Sequence, residues 1–331
     1  MACAVAAAAA CRPAPVDPGD DPPSECRSTL CRDTAPPDGD APDGGDASDG
    51  EHDTQVPDGP RIRVATFNTH LLFDTVCDSG DCQGDAFEDR PSQFQYRKDV
   101  ERVADAIRQL NADLVFLQEI EKRQILEDIQ SKVGYPGIAF GETGRPASID
   151  VGVLARARIR SSQGYDDRDL TRPDGSRTSF ARDFLRVDLR LKGHRVIGFT
   201  GHFTAKVGRD DPGRRLAEAR EAADIVNEVT DANAEARIVV GGDLNDTPDS
   251  PPLRALQRDG PALSGRELPM QRRWTYCYRG DTEAIDHLLS LPSSGAHYVP
   301  KTARAVGDRS CPGDVQFAGS DHAAFTATFA L

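Results

Sequence analysis

Short apolar segments in the second part of the sequence run directly into polar residues, and this repeated pattern constrains the fold most strongly. Each segment is typical of a buried β-strand, because it is short, apolar and rich in β-branched residues. Each segment therefore delivers polar side chains at a strand end. The segments are residues 61–67 before Asn68, 113–117 before Gln118 and Glu119, 195–200 before His202, and 237–240 before Asp243 and Asn245.

Segments with helical periodicity separate several of these strands. Residues 95–110 carry apolar side chains at helical spacing, and residues 212–230 follow Asp211 as a cap and begin with Pro212. Alternation of strands and helices predicts a mixed α/β fold. The expected buried faces of the two helices are Tyr96, Val100, Val103, Ala104, Ile107 and Leu110 in the first, and Leu216, Ala219, Ala223 and Val226 in the second.

Two features predict antiparallel strands as well as parallel ones. Residues 183–191 turn at Gly193 into the strand that precedes His202. The chain closes with Asp321 and His322 followed by an alternating apolar strand. If this last strand runs antiparallel to its neighbours, both residues reach the sheet edge that holds the other strand-end side chains. We therefore predict one shared site.

The acidic residues of this predicted site are suited to a divalent metal ion. Glu119 and Asp321 supply hard carboxylate oxygens, which Mg²⁺ and Mn²⁺ prefer as ligands. The remaining coordination positions are filled by water and by phosphate oxygens of a substrate. The sequence therefore predicts Mg²⁺ or Mn²⁺ as the cofactor.

The remaining strand-end residues are suited to hydrolysis of a phosphoester. Asp243 is expected to position or deprotonate a water molecule, and Asn245 to donate to a phosphate oxygen. His202 and His322 are expected to hold non-bridging oxygens or to serve as acid or base. Asp286 is expected to orient one imidazole by accepting its N–H.

A plainer interpretation applies to each of these residues when it is taken alone. A single Asp at a strand end usually caps a turn or a helix, and a single His is usually a hydrogen-bonded polar residue. We assign no function to His70, His194, His287 or His297. In the case of His287 the reason is that strand alternation places it on the face opposite Asp286. The order and spacing of the whole set favour the functional interpretation.

Six motifs occur in an order that is characteristic of one enzyme superfamily. They are TFN at Asn68, LQE at Glu119, GHFTAK at His202, GGDLND at Asp243 and Asn245, AIDHLLS at Asp286, and SDH at Asp321 and His322. Through these motifs, residues 61–331 resemble members of the endonuclease/exonuclease/phosphatase superfamily. Pancreatic deoxyribonuclease and the abasic-site endonucleases have the fold of this superfamily. The resemblance implies a four-layer sandwich of two packed mixed β-sheets flanked by helices, with the site at one end of the sheets.

The resemblance also implies a role for each motif residue. The implied metal ligands are Asn68, Glu119 and Asp321, and the implied catalytic residues are His202, Asp243, Asn245, Asp286 and His322. Lys206 is expected either to meet a phosphate or to face solvent, and the segment from Trp274 to Tyr276 to serve packing more than chemistry. An insertion at residues 74–90 follows the first motif and is expected to flank the site.

The first 60 residues differ in composition from the rest of the chain. Residues 1–11 are apolar and resemble the end of a bacterial signal in which Cys11 is the acylated residue of a lipoprotein; a plain secretory signal and an unprocessed tail remain alternatives. Residues 12–60 are rich in Pro, Asp and Gly, which predicts a disordered acidic linker. The predicted catalytic domain is residues 61–331.

The cysteines indicate an oxidising compartment. Six remain once Cys3 and Cys11 are set aside, and an even number suits disulfides, although free thiols in a cytosolic protein remain an alternative. We expect an extracytoplasmic protein of a bacterium, either secreted or lipid-anchored. By proximity the expected pairs are Cys26 with Cys31, Cys77 with Cys82, and Cys277 with Cys311.

Net charge and hydropathy limit the classes of protein to which the chain can belong. The formal net charge is −14, and the first 60 residues hold 13 of the 54 acidic residues against 3 of the 40 basic ones, so the remainder is only weakly acidic. No apolar run is long enough for a transmembrane helix, and no protein partner is indicated.

The favoured function is a metal-dependent DNA-cleaving nuclease with nucleic acid as its partner. The alternatives are a phosphatase or phosphodiesterase acting on small phosphoesters, inositol phosphates or sphingomyelin. Two further classes are a catalytically inactive binding module and a surface protein whose acidic tail is the functional part.

Overall fold

The computed structural model describes residues 56–206, 210–278, 280–308, 310–311 and 317–331. The predicted signal, most of the predicted linker and the expected Cys26–Cys31 pair lie outside these residues. None of the helices in the described residues is both long and apolar enough to cross a lipid bilayer.

The strands are β1 (Arg61–Leu72), β2 (Leu114–Ile120), β3 (Gly137–Gly141), β4 (Asp150–Ala155), β5 (Ile159–Gln163), β6 (Leu170–Thr171), β7 (Arg177–Thr178), β8 (Leu185–Leu191), β9 (His194–His202), β10 (Arg237–Asp243), β11 (Ala262–Leu263), β12 (Tyr276–Tyr278), β13 (Asp281–Glu283), β14 (Asp286–Ser290), β15 (His297–Tyr298), β16 (Arg304–Val306) and β17 (Ala324–Ala330). The helices are α1 (Gln93–Leu110), α2 (Arg123–Val133), α3 (Pro212–Ala232), α4 (Pro251–Leu256) and α5 (Met270–Arg273), with a 3₁₀ turn at Pro292–Ser294.

Two large sheets form the centre of the domain. Sheet A has the order β15-β17-β1-β2-β4-β3, with β16 also paired to β17, and sheet B has the order β11-β14-β10-β9-β8-β5. Both are mixed, because β1 pairs with β2 and β9 pairs with β10 in parallel, while β17 runs antiparallel to β1 and β14 runs antiparallel to β10. The predicted hairpin is present, since β8 and β9 are antiparallel neighbours. Helices α1 and α3 provide the two parallel crossovers.

Three apolar clusters show how the layers stack. The first lies between the sheets and contains Val64 and Phe116 from sheet A with Val187 and Val239 from sheet B. The second packs α1 and α2 on the outer face of sheet A, and the third packs α3 and α4 on the outer face of sheet B. The expected four-layer α/β sandwich of two mixed β-sheets flanked by helices is confirmed.

The two long helices form close to where the sequence places them. Helix α1 begins at Gln93, because Ser92 accepts a hydrogen bond from the Gln95 N–H and so caps the helix, and its expected face is buried. Helix α3 starts at Pro212 with Asp211 as its cap, also as predicted. The expected inner face of α3 is wrong at Leu216, which is only half-buried.

Two disulfides are present in the described residues. They join Cys77 to Cys82 and Cys277 to Cys311, which confirms both of the predicted pairs that this part of the chain contains. The first closes a short loop within the insertion after β1. The second ties β12 to the segment that precedes the C-terminal strand.

Candidate active site

Three site residues lie side by side across sheet B. In the strand register, Asp243 at the end of β10 is opposite His202 on β9 and opposite Asp286 on β14. Gly242 makes the close approach possible, because a Cβ atom there would lie 2.0 Å from the carbonyl oxygen of Gly201. As a result, Nε2 of His202 lies 3.5 Å from Oδ2 of Asp243.

Sheet A contributes Asn68 and Glu119 from two neighbouring strand ends. A bulge in the β1–β2 pairing brings Glu119 into the left-handed backbone region, with φ 62°, and so redirects its side chain. Nδ2 of Asn68 donates to Oε1 of Glu119 and to Oδ2 of Asp243, each at 3.0 Å. The Leu71 N–H donates to the other oxygen of Glu119 at 2.8 Å. Asn68 therefore joins the two sheets at the site.

The segment before β17 completes the cluster. Oγ of Ser320 donates to the carbonyl oxygen of Asn68 at 2.8 Å and accepts from the His322 N–H at 2.9 Å. This fixes the backbone so that Nδ1 of His322 lies 2.8 Å from Oδ2 of Asp286. The Tyr276 ring packs against the imidazole with centroids 4.9 Å apart, so this expected packing segment contacts a site residue directly.

Burial and charge set the protonation states of the central groups. Burial, reinforced by the negative charge of Asp286, raises the pKa of Asp243 to about 7. Burial opposes a charge on His322, but the charge of Asp286 outweighs it and raises the pKa of His322 well above its ordinary value. Burial lowers the pKa of His202 well below its ordinary value. At neutral pH the site thus holds one protonated imidazole and one neutral imidazole.

One residue to which the sequence analysis gave no function belongs to this cluster. Nδ1 of His70 lies 3.0 Å from Oδ1 of Asp321, and this contact raises the pKa of His70. Burial alone would raise the pKa of the Asp321 carboxyl, but the contact with His70 and the charges of His70 and His322 outweigh burial and lower it. The sequence analysis therefore missed the place of His70 beside a predicted metal ligand. Its position two residues after Asn68, at the end of a predicted strand, was the available signal.

Other predicted residues lie at the border of the cluster. Asn245 has φ 51°, and its side-chain amide donates to the carbonyl oxygen of Phe203 at 3.0 Å, while its N–H donates to Oδ1 of Asp243 at 3.0 Å. Lys206 is in an ion pair at 2.9 Å with Glu283.

Two charged residues of α3 were missed because the sequence analysis expected only small and apolar side chains on its inner face. Glu218 is fully buried and accepts from the N–H groups of Ala181 and Thr204, each at 2.8 Å. Arg215 is also buried, and its Nε donates to Asp246 at 3.1 Å. Both residues hold loops beside His202 and Asp243. Arg215 and Glu218 are three residues apart, so they lie on the same face of the helix, and this spacing was the available signal in the sequence.

The donor set fits a hard divalent ion. Asn68 and Glu119 are in direct contact, and Asp321 contacts His70, whose pKa is raised first by Asp321 and also by the negative charge of Glu119. Oxygen donors of this kind match Mg²⁺ and Mn²⁺. Asp243 and Asp286 are two buried carboxyl groups of the same cluster, and a cation would offset part of their negative charge.

Comparison with known protein families gives a match to the Endonuclease/Exonuclease/phosphatase family over residues 65–322. This chain belongs to that family. Members of the endonuclease/exonuclease/phosphatase family are metal-dependent phosphodiesterases and hydrolases. A search of curated proteins found no match.

Several solved structures share this fold. Truncated TDP2 from Caenorhabditis elegans has 18% identity and a TM-score of 0.56, covering 82% of this chain and 98% of that one. TDP2 from D. rerio, solved with a single-strand DNA product, has 13% identity and a TM-score of 0.58, covering 82% and 99%. Sphingomyelinase C from Streptomyces griseocarneus has 18% identity and a TM-score of 0.56, covering 82% and 100%.

Proposed function

We propose that this protein is an extracytoplasmic, metal-dependent phosphodiesterase that cleaves DNA. The observation that carries the proposal is the environment of the Asp243 carboxylate. Its Oδ2 atom lies 3.0 Å from Nδ2 of Asn68, 3.5 Å from Nε2 of His202 and 3.8 Å from Nε2 of His322. Nitrogen atoms that can donate hydrogen bonds thus converge from both sheets on one carboxylate that can act as a base. Hydrolysis of an anionic ester requires this combination of groups.

Asn68, Glu119 and Asp321 would hold the metal ion, as expected from their motifs. When bound, a divalent ion such as Mg²⁺ or Mn²⁺ withdraws negative charge from the phosphate oxygens and helps to orient the ester. In this assignment His70 supports the position of Asp321 through the 3.0 Å contact. The ring of His70 is also partly exposed, which places it at the mouth of the pocket.

Asp243 is assigned as the group that receives a proton from the attacking water. Its pKa of about 7 makes it a suitable base near neutral pH, because a base works best when its pKa is close to the working pH. The Asn245 N–H donates to Oδ1, which leaves Oδ2 directed toward the two imidazoles. The water oxygen attacks phosphorus and its proton passes to Asp243, while the ester P–O bond breaks. The leaving oxygen departs as an alkoxide and takes a proton from solvent to give the alcohol product.

The two histidines are assigned to the phosphate oxygens. His322 keeps its proton because Nδ1–H donates to Asp286, and its Nε2–H is then available to a non-bridging oxygen whose charge grows during attack. His202 is neutral and supplies a hydrogen bond without adding a second buried charge. Asp286 acts through His322 and is therefore a positioning residue.

Arginines beside the site favour a polyanionic substrate. Burial lowers the pKa of His202, and the charge of half-buried Arg182 adds to that effect. Burial also lowers the pKa of Arg214, and the charges of Arg145, Arg172 and Arg182 lower it further. These four side chains are here called the basic rim, because their charges act on one another or on His202. A nucleic acid strand has phosphates beyond the one that is cleaved, and this rim offers charge to them. The location outside the cytoplasm rests on the two disulfides.

A panel of phosphoesters tests the proposal. The purified protein is incubated with circular and linear DNA, RNA, sphingomyelin and inositol phosphates in the presence of Mg²⁺, with Asp243→Asn as the inactive control. We expect nicking of circular DNA by the wild-type protein only. Turnover confined to sphingomyelin would reject DNA as the substrate while retaining a phosphodiesterase, and turnover confined to inositol phosphates would indicate a phosphatase instead.

A further inference from the structure

Two buried glutamates accept backbone hydrogen bonds from the insertion between β1 and α1. Glu88, 2% exposed, accepts from the N–H groups of Asp78 and Ser79 at 2.6 and 2.7 Å. Glu121, 3% exposed, directly follows β2 and accepts from the Asp74 N–H at 2.7 Å. The Glu88 contacts lie within the insertion, and the Glu121 contact connects it to the strand end that carries Glu119.

The same region concentrates negative charge. One carboxylate oxygen from each of Asp78, Glu88 and Glu121 lies within 4.8 Å of the others, and Asp74 is adjacent. Lys122 supplies one positive charge, with Nζ 3.0 Å from Asp74 and 2.6 Å from Asp78. Four carboxylates against one ammonium leave the cluster strongly negative, and two of the carboxylates are shielded from water. Such charge is costly to bury unless a counter-ion is bound.

One oxygen in this cluster is left without a partner. Oε2 of Glu121 accepts the Asp74 N–H, but Oε1 is buried and has no hydrogen-bond partner in the part of the chain that the structure describes. A buried carboxylate oxygen in native proteins is nearly always satisfied by a donor, a water molecule or an ion. The Glu121 side chain lies beside the carboxylates of Asp78 and Glu88, and its Oε1 has no partner among the described residues. A bound cation would satisfy this oxygen.

We propose that Asp78, Glu88 and Glu121 bind a divalent cation of the calcium type, at a site separate from the active-site metal. Ca²⁺ accepts carboxylates in one- or two-oxygen mode and tolerates irregular geometry, whereas Mg²⁺ demands a near-octahedral set. Asp78 is partly exposed, which gives the ion access from solvent and room for water ligands. The cysteines beside the cluster are joined in a disulfide, so their sulfurs do not compete as thiolate ligands.

The proposed ion has a structural consequence for the active site. It would connect the loop after β1 to the residue after β2, and these two strands carry Asn68 and Glu119. The expected effect is to order the insertion beside the pocket. Exchange of the N–H groups that donate to the two glutamates, those of Asp74, Asp78 and Ser79, should therefore slow when Ca²⁺ is bound.

Thermal unfolding with Ca²⁺ alone, Mg²⁺ alone or chelator tests this proposal. We expect Ca²⁺ to raise the Tm of the wild-type protein in a saturable manner by about 5 °C. Glu121→Gln should lose this shift, and Asp78→Asn should require a higher Ca²⁺ concentration. The matched control is Asp85→Asn, which removes one exposed charge of the same insertion and should keep the full response.

A further variant separates this site from the active site. Glu119→Gln should lose phosphodiesterase activity but keep the Ca²⁺-dependent shift and the slowed amide exchange. The proposal is overturned if Ca²⁺ changes neither Tm nor exchange in the wild-type protein, or if Glu119→Gln abolishes the response while Asp78→Asn leaves it unchanged. Because binding is measured without substrate, these outcomes are independent of whether the protein cleaves DNA.

Discussion

Nδ1 of His322 lies 2.8 Å from Oδ2 of Asp286, although Asp286 belongs to sheet B and His322 precedes the last strand of sheet A. Asp286 begins β14 of sheet B, and His322 directly precedes the C-terminal part of sheet A. Both side chains are buried. The contact therefore fixes the imidazole orientation and depends on correct packing of the whole sandwich.

Replacing Asp286 with Asn tests the positioning role. The variant keeps the size of the side chain but removes the charge that raises the pKa of His322, so His322 should lose its proton at lower pH. We expect kcat to fall about 10- to 100-fold, and the alkaline limb of the pH–rate profile to move to lower pH. Asp281→Asn, on the exposed part of β13, is the control. An unshifted profile would rule out this role.

Asp243→Asn tests the proposed base. The amide oxygen can still accept from the Asn245 N–H, so the fold should survive, but the side chain no longer takes a proton. Loss of a general base typically lowers kcat by about 10²- to 10⁴-fold. Steady-state kinetics on a small phosphodiester measures the loss, and circular dichroism confirms folding. Asp231→Asn, exposed on α3, should behave as wild type; a kcat within tenfold of wild type for Asp243→Asn would exclude it as the base.

Arg182→Ala tests the basic rim. Removing this charge should raise KM for DNA about 3- to 10-fold and weaken its salt dependence, because one phosphate contact is lost. A small diester has no second phosphate, so its KM should stay within a factor of two or so by the same reasoning. Arg190, at the opposite end of the same hairpin, provides the control Arg190→Ala. Equal effects on both substrates would argue against a strand-binding rim.

Asp183 makes the stability of the fold depend on pH. Burial raises its pKa to about 6, although the Tyr165 N–H donates to it at 2.6 Å. A carboxyl whose pKa is higher in the folded state stabilises the fold at low pH, and this contribution is lost as pH rises through the folded pKa. The shift corresponds to a loss of about 2 kcal/mol between pH 4 and pH 7.

Chemical denaturation at several pH values measures this effect. The free energy of unfolding of the wild-type protein should contain a component that decreases from pH 4 to pH 7, and Asp183→Asn should show a smaller decrease over that interval. Asp188→Asn is not a suitable control, because Asp188 is in an ion pair with Arg195. The exposed substitution Asp231→Asn serves instead. An identical pH dependence in wild type and Asp183→Asn would refute the assignment.

The sequence alone was sufficient to predict the strand ends and their convergence. Apolar segments before Asn68, Glu119, His202 and Asp243 carry the strand signal locally, and the antiparallel course of the last strand brings His322 to the same edge. The helix cap at Asp211 is equally local. Features of this kind depend on neighbours in sequence, which is why residue patterns are enough to predict them.

Residues whose roles depend on distant partners were not predictable in the same way. His70 acquires its partner Asp321 only when the first and last strands of sheet A come together. The left-handed backbone at Glu119 comes from a bulge that no residue preference in LQE indicates. Glu218 is buried as an anchor for two loops, although a helix pattern treats it as a surface charge.

Metal titration of phosphodiester cleavage tests the central claim most directly. The wild-type protein is freed of metal with a chelator, assayed, and then titrated with Mg²⁺ or Mn²⁺ beside Glu119→Gln. The account predicts that the metal-free protein is inactive, that either ion restores turnover, and that Glu119→Gln is not restored at the same metal concentration. Full turnover by the chelated wild-type protein would contradict it.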